Sequence, residues 1–145
     1  MAEGAPLLRE YTLKAYRGFE SLSLRHCNMS NKTLFEKIIE REIPSEIIYE
    51  DDKTIVIKDI NPQAPVHVLI IPKGAYQNMT EFARKATAEE KTAFIEAIGN
   101  VVNLKKINKT GYRTIVNNGE DSMQEVPHLH VHVLGGRRLG ALLSS

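Results

Sequence analysis

An α+β fold built on an antiparallel sheet is the class this chain predicts, and three observations carry it. Short strand-like runs occur at 46–50, 54–59, 66–71, 112–117 and 127–134, bounded by turn-forming residues. One long amphipathic stretch stands among them, opened by Thr87 with Glu90 three residues later, the pattern of a capping box. The strands arrive as a group around that helix, which favours an antiparallel sheet of about five strands with one long and one short helix.

In chain order, residues 1–28 read as an appended N-terminal extension. Leu7, Leu8, Tyr11, Ala15, Phe19 and Leu22 fall near one helical stripe that Gly18 interrupts. Its four basic and three acidic residues lack the layout of a secretory or transit peptide. His26 and Cys27 sit in it as surface residues without an expected role. Met29 looks like the start of the compact domain, expected over 29–145. Thr33 with Glu36 opens a short helix, TLFEKIIERE, whose apolar stripe is Leu34, Ile38 and Ile39 and which Pro44 closes. EIIYE and TIVIKD flank Asp51-Asp52-Lys53 as a hairpin. The two prolines of NPQAP forbid regular structure, and VHVLII follows as a buried strand ended by Pro72. The long helix carries Phe94, Ala97, Ile98, Val101, Val102, Leu104 and Ile107 over about twenty residues, with Gly111 expected to terminate it. YRTIVN is a strand, NGEDSMQE a polar loop and PHLHVHVL the last strand.

Composition limits what such a domain can do. The chain has 145 residues, 42% hydrophobic and 26% charged, and can bury about two-thirds of its unfolded surface as one domain. Its 19 basic and 18 acidic residues give a net charge of +1, so no footprint for nucleic acid or an anionic membrane is present. No apolar run approaches the ~20 residues that span a bilayer. The single Cys27 excludes an internal disulfide framework or a CxxC zinc clasp, which suits a reducing, cytoplasmic compartment. Whatever the protein binds is recognised by a local site.

That site is announced by VPHLHVHVLGGR at 126–137, where three of five histidines alternate with Leu129 and Val131. In a strand, His128, His130 and His132 share one face, while Leu129, Val131 and Val133 face the core. Three imidazoles in register are costly unless something uses them. Two chemistries want such a row. Alternating histidines can ligate zinc. A neutral imidazole is also a good nucleophile toward phosphorus, with neighbours that orient it and donate hydrogen bonds to phosphate oxygens. Spacing alone does not choose between them.

The run HLHVHVL resembles the signature of the histidine triad (HIT) superfamily, and its continuation into Gly135-Gly136-Arg137 is similar to the Hint branch, the nucleoside phosphoramidate hydrolases. TLFEKIIEREIPSEIIYEDD, IKDINPQAPVHVLIIPK and GYRTIVNNG resemble Hint segments in order and spacing, so the resemblance covers about residues 32–138. It implies a HIT fold and a homodimer paired through the long helix and the edge strand. It also implies hydrolysis of a P–N bond in purine nucleoside monophosphate derivatives, without a metal or other cofactor. His130 would be the nucleophile, His132 would contact phosphate oxygens, His128 would fix the nucleophile's tautomer, and His67 would stand beside them. Asp59 would accept from the ribose hydroxyls. Ile60 with Leu34, Phe35 and Ile38 would sandwich the base, and Asn117 would lie near the phosphate or leaving group.

This chain departs from the resemblance at Ser122-Met123, where glycines are common, and at Glu125, where a hydroxyl residue often touches the leaving group. A carboxylate cannot donate a hydrogen bond at pH 7, so Glu125 instead suits a cationic amine, while Met123 narrows the approach to the phosphate. The tail after Arg138, LGALLSS, also differs. Two alternatives remain open. One is a Fhit-like dinucleoside polyphosphate hydrolase, which usually follows the histidines with a Pro-Arg-Lys type sequence. The other is a non-enzymatic purine-nucleotide-binding dimer. A zinc protein is a third class, although no carboxylate or Cys stands at ligand spacing from the histidine row.

Overall fold

The structure, a computed structural model, describes residues 31–143. The apolar stripe at 7–22, His26, Cys27 and the boundary at Met29 lie outside them. Helix α1 (Leu34–Ile39) begins with the expected capping box: Thr33 Oγ1 accepts from the Glu36 amide at 3.2 Å, and Glu36 Oε2 accepts from the Thr33 amide at 2.6 Å. It ends earlier than Pro44 suggests, at Glu40, and Arg41 then takes a left-handed conformation at φ 64°. Strands β1 (Ile47–Glu50) and β2 (Thr54–Lys58) form the hairpin. Asp51 Oδ1 accepts from the Lys53 and Thr54 amides, both at 2.8 Å, so one carboxylate supplies the turn's partners. Strand β3 (Val66–Pro72) is buried along nearly its whole length and includes Pro72.

Helix α2 (Met79–Lys85) is absent from the sequence reading. Two turns are too short to show a period, but Asn78 with Glu81 three residues later was the available signal. Asn78 Oδ1 accepts from the Glu81 amide at 2.9 Å. Helix α3 (Ala88–Leu104) starts at Thr87 as predicted. It stops sooner than expected, and Gly111 is not its terminator. Lys106, at φ 60°, turns the chain, with its amide bonded to Asn103 O and the Ile107 amide to Val102 O. That is a Schellman closure without glycine. Gly111, at φ 102°, instead opens β4 (Tyr112–Val116). Strand β5 (Val131–Gly135) is shorter than PHLHVHVL implies, because His128, Leu129 and His130 precede its first ladder pair.

The five strands form one sheet in the order β1-β2-β3-β5-β4, antiparallel at every step. Alternation divides its residues between two cores. Val56, Val68, Ile70, Val131 and Val133 pack with Phe82 of α2 and with Phe94, Ala97, Val101 and Val102 of α3. Ile55, Ile57, Leu69 and Ile71 face the other way, against Phe35 and Ile38 of α1, Ile43 and Val126. Leu129 joins the first core, as expected of the positions between the histidines. The long helix therefore covers one face over β1, β2 and β3. The short helix covers only part of the other, and the uncovered remainder is where a site can form.

Phe94 is 1% exposed at the centre of the α3 core. Phe94→Ala should lower the unfolding free energy by about 3–5 kcal/mol, read as a shift of the urea midpoint at constant m. A loss well under 1 kcal/mol would mean that α3 is not what holds the sheet.

Candidate functional site

A cleft of about 540 Å³ opens on the α1 side of the sheet. Ten of the eleven residues singled out from the sequence line it: Leu34, Phe35 and Ile38 from α1, Asp59 and Ile60 after β2, His67 on β3, Asn117 after β4, then Glu125, His130 and His132. The exception, His128, is 1% exposed and lies beneath the floor. Register sets the cleft's two ends. His132 pairs with Leu69 and Val66 with Gly135, so the Asp59 loop borders one end of β5. Val131 pairs with Ile70 and Val116, so the 117–130 loop borders the other. The histidines lie between.

Main-chain groups decide where the protons sit on these rings. His130 Nδ1 lies 2.8 Å from the carbonyl oxygen of His128. A carbonyl only accepts, so Nδ1 carries the hydrogen and Nε2 keeps its lone pair. His128 Nε2 in turn donates to the Pro72 carbonyl at 2.8 Å, which fixes the ring under the nucleophile candidate. The Gln63 amide donates to His67 Nδ1 at 3.0 Å, leaving the hydrogen on His67 Nε2. That atom is 2.9 Å from His132 Nδ1, so His67 donates and His132 carries its own hydrogen on Nε2. The two cleft histidines are thereby set as opposites: His130 is an acceptor at Nε2 and His132 a donor. Gln63 was not foreseen, because its contribution is a backbone amide. Arg137, noted only as part of GGR, donates to the Gln63 carbonyl at 2.8 Å and ties that loop to the segment just after β5.

Burial keeps all four rings neutral. It pushes His130 and His128 down from the usual histidine value, with the accepting His128 and Pro72 carbonyls opposing it. His67 is likewise pushed down by burial, against the pull of Asp59. His132 is pushed down to about 4, by burial first and then by the neighbouring His130 and His67 rings. Phe35 contributes through direct packing. Its ring lies 4.9 Å from His130 and 6.1 Å from His128, both edge-on. The sequence placed it only against a base.

Asp59 also differs in its surroundings from what the sequence suggested. Its Oδ2 is 3.3 Å from His67 Nε2 and 3.9 Å from His132 Nδ1, and its Oδ1 accepts from the Asn61 amide at 2.7 Å. The fold thus brings to two histidines the carboxylate that linear spacing did not show. Ligand atoms of Asp59, His67 and His132 all lie within 4.8 Å of one another, a donor set that suits a divalent metal. The 2.9 Å N···N separation nevertheless fits a shared proton better. Two nitrogens bound to one tetrahedral zinc stand about 3.3 Å apart, given bonds of about 2.0–2.1 Å.

Comparison with known proteins follows this geometry. The HIT domain family matches residues 40–139. The purine nucleoside phosphoramidase of Escherichia coli K12 is 41% identical over 119 residues, covering 80% of this chain and 97% of that protein. A 14 kDa zinc-binding protein of Zea mays is 44% identical over 113 residues, 74% of this chain and 84% of that one. Among solved structures, a HIT family hydrolase from Clostridium thermocellum superposes with a TM-score of 0.73 at 45% identity, covering 79% of this chain and 100% of that chain.

Because the folded-state values lie below that of a free histidine, the unfolded chain takes up protons first on acidification. Stability should therefore hold above about pH 6.5 and fall as pH drops toward the folded value of His132, about 4. The slope is about 1.4 kcal/mol per pH unit for each proton taken up. Nitrogen-15 NMR titration should find His130 in the Nδ1–H form and His67 and His132 in the Nε2–H form, with His132 charging near pH 4. A His130 ring that is charged at pH 7, or protonated at Nε2, would overturn this assignment.

Proposed function

The chain belongs to the HIT domain family, and we propose that it hydrolyses the P–N bond of purine nucleoside phosphoramidates through a nucleotidyl-His130 intermediate. One observation carries the reading: the His128 carbonyl ties the His130 proton to Nδ1, so the Nε2 lone pair is free to attack. The phosphoramidase name of the Escherichia coli relative supports the substrate class. The structural likeness to a HIT family hydrolase supports the reaction class.

In the first step His130 Nε2 bonds to phosphorus as the P–N bond breaks, and the departing nitrogen takes a proton from water at the open mouth of the cleft. In the second step a water oxygen bonds to phosphorus, the histidine–phosphorus bond breaks, and the water's proton is released to solvent. His132 donates its Nε2–H to a phosphate oxygen throughout, and His67 holds it in that tautomer. His128 orients the nucleophile, and Asn117 lies near the phosphate at the 117–130 end. Leu34, Ile38 and Ile60 enclose the purine, with Phe35 shared between base and nucleophile. Asp59 reads the ribose with its remaining lone pairs while its charge steadies His67. GGR rather than a Pro-Arg-Lys sequence disfavours dinucleoside polyphosphates as the main substrate, and a nucleophile-ready tautomer disfavours nucleotide binding alone.

Homodimer formation is part of the same proposal. Ile95 and Leu104 on α3 and Tyr112 and Ile115 on edge strand β4 are exposed, and pairing of two copies through these elements would cover them. Among the described residues no helix is long and apolar enough to cross a membrane. The single Cys27 and the phosphoramidase relative support a cytoplasmic site of action.

His130→Ala should lose about 10³-fold or more in kcat on an adenosine phosphoramidate while retaining affinity for the nucleoside monophosphate. Near-normal turnover would sink the covalent mechanism. A second reading, favoured by the Asp59–His67–His132 cluster, is a metal-dependent site. Exhaustive chelation should leave the proposed activity intact. Loss on chelation, with recovery on adding back a stoichiometric divalent ion, would transfer the chemistry to that cluster.

A further inference from the structure

Taking His130 as the nucleophile of the proposed reaction, we infer that Glu81, in the first turn of α2 and outside the cleft, is a positioning residue that aims His130 through two peptide groups in series. The first of these groups joins His128 to Leu129. Its carbonyl accepts from His130 Nδ1 at 2.8 Å, and its amide donates to the Tyr76 carbonyl at 2.7 Å. In a planar trans peptide the C=O and N–H point in opposite directions. Whatever fixes the Leu129 amide therefore fixes the His128 carbonyl, and with it the tautomer and tilt of the His130 ring. The second group joins Tyr76 to Gln77 and obeys the same rule. Its carbonyl holds Leu129, and its amide donates to Glu81 Oε2 at 2.6 Å. A helix carboxylate thus stands at the far end of a relay that finishes at Nδ1 of the nucleophile.

Each link has its own support. Glu81 Oε1 pairs with Lys85 Nζ at 3.0 Å, and the Glu81 amide donates to Asn78 Oδ1 at 2.9 Å, so the residue that receives Gln77 is held at main chain and side chain alike. The Gln77 amide, and after it Lys85, keeps the Glu81 carboxyl below the usual carboxylate range, as expected of an acceptor. Tyr76 is anchored to α3. Its hydroxyl donates at 2.9 Å to Glu90, the acidic member of that helix's capping box, and its ring meets Phe82 edge-on at 5.2 Å. Gly74 leaves room for this anchor: a Cβ there would lie 2.6 Å from Tyr76 Cε2 and 2.9 Å from Glu90 Oε2. Phe82 and Leu129 both belong to the α3 core, so the relay ties a nucleophile on one face of the sheet to packing on the other. Neither Tyr76 nor Glu81 lines the cleft, which leaves substrate contact out of their role. A ring turned away from in-line approach costs rate rather than binding.

The test compares Glu81→Ala with two controls. Glu81→Gln keeps a side-chain oxygen that accepts from Gln77, and Asn78→Ala removes the N-cap bond of the same helix while leaving the Gln77 contact in place. Glu81→Ala should lower kcat on an adenosine phosphoramidate about tenfold, the worth of one charge-assisted hydrogen bond, with KM and affinity for adenosine monophosphate unchanged. Nitrogen-15 NMR of the free protein should show its His130 as a mixture of tautomers in place of the Nδ1–H form. Glu81→Gln should restore most of both. Asn78→Ala should lower Tm at least as far as Glu81→Ala does, yet keep wild-type kcat and wild-type His130 signals. A Glu81→Ala protein with wild-type kcat and tautomer, or an Asn78→Ala protein that shares its losses, would overturn the relay. The tautomer is read without substrate. Failure of wild type to cleave the phosphoramidate would therefore overturn the P–N reading and leave the relay to be decided by the NMR signals.

Discussion

Three main-chain contacts govern this cleft: the Pro72 carbonyl on His128, the His128 carbonyl on His130 and the Gln63 amide on His67. Each has a fixed donor or acceptor character, so each dictates a tautomer where a side-chain partner could have been ambiguous. The consequence travels one ring further, from His67 to His132, because a neutral imidazole that accepts at one nitrogen must carry its hydrogen at the other. A row of like rings thereby becomes a site with one acceptor and one donor aimed at the same space.

Those contacts exist only because the sheet is packed asymmetrically. Strand β3 is buried on both faces and lies between β2 and β5, with Pro72 paired to Thr54 of β2 and His67 to Leu134 of β5, so a ladder holds each end. Helix α3 supplies the large core and leaves the opposite face to α1, which at six residues covers only the hydrophobic positions beside Phe35 and Ile38. The histidines occupy the gap. Burying uncharged, hydrogen-bonded imidazoles is tolerable where burying imidazolium is not, and this is why desolvation depresses all four.

Much of this was legible in the residues, and what was not has physical causes. Capping boxes at Thr33 and Thr87 identify two helix starts because both hydrogen bonds are made within four residues. The end of α3 was misplaced because Lys106, not glycine, takes the left-handed turn, and propensity alone gives no warning of that. The alternation in HLHVH correctly sends Leu129, Val131 and Val133 to one core and the histidines to the other face. It also suggests a strand longer than β5, because alternation does not require a ladder partner. Asp59 could be named but not its neighbours: its approach to His67 and His132 depends on register between strands distant in sequence. The Gln63 amide could not be named at all, since a backbone donor leaves no mark in composition.

The choice of a carbonyl, rather than a carboxylate, as partner of His130 Nδ1 has a consequence for a two-step transfer. A carboxylate there would stabilise the imidazolium and make Nε2 more basic, hence a stronger nucleophile but a poorer leaving group. A neutral carbonyl in a desolvated pocket does less of both. The proposed reaction requires the same nitrogen to attack phosphorus in one step and to be expelled by water in the next. An imidazole of depressed basicity gives up some speed in forming the bond and recovers it in breaking it. Burial also lowers its pKa, so it stays neutral, and ready to attack, to lower pH than a free histidine does. Burial of His130 behind Phe35 is therefore consistent with turnover limited by neither step alone, and it explains why the charged groups, Asp59 and Glu125, sit around the nucleophile rather than on it.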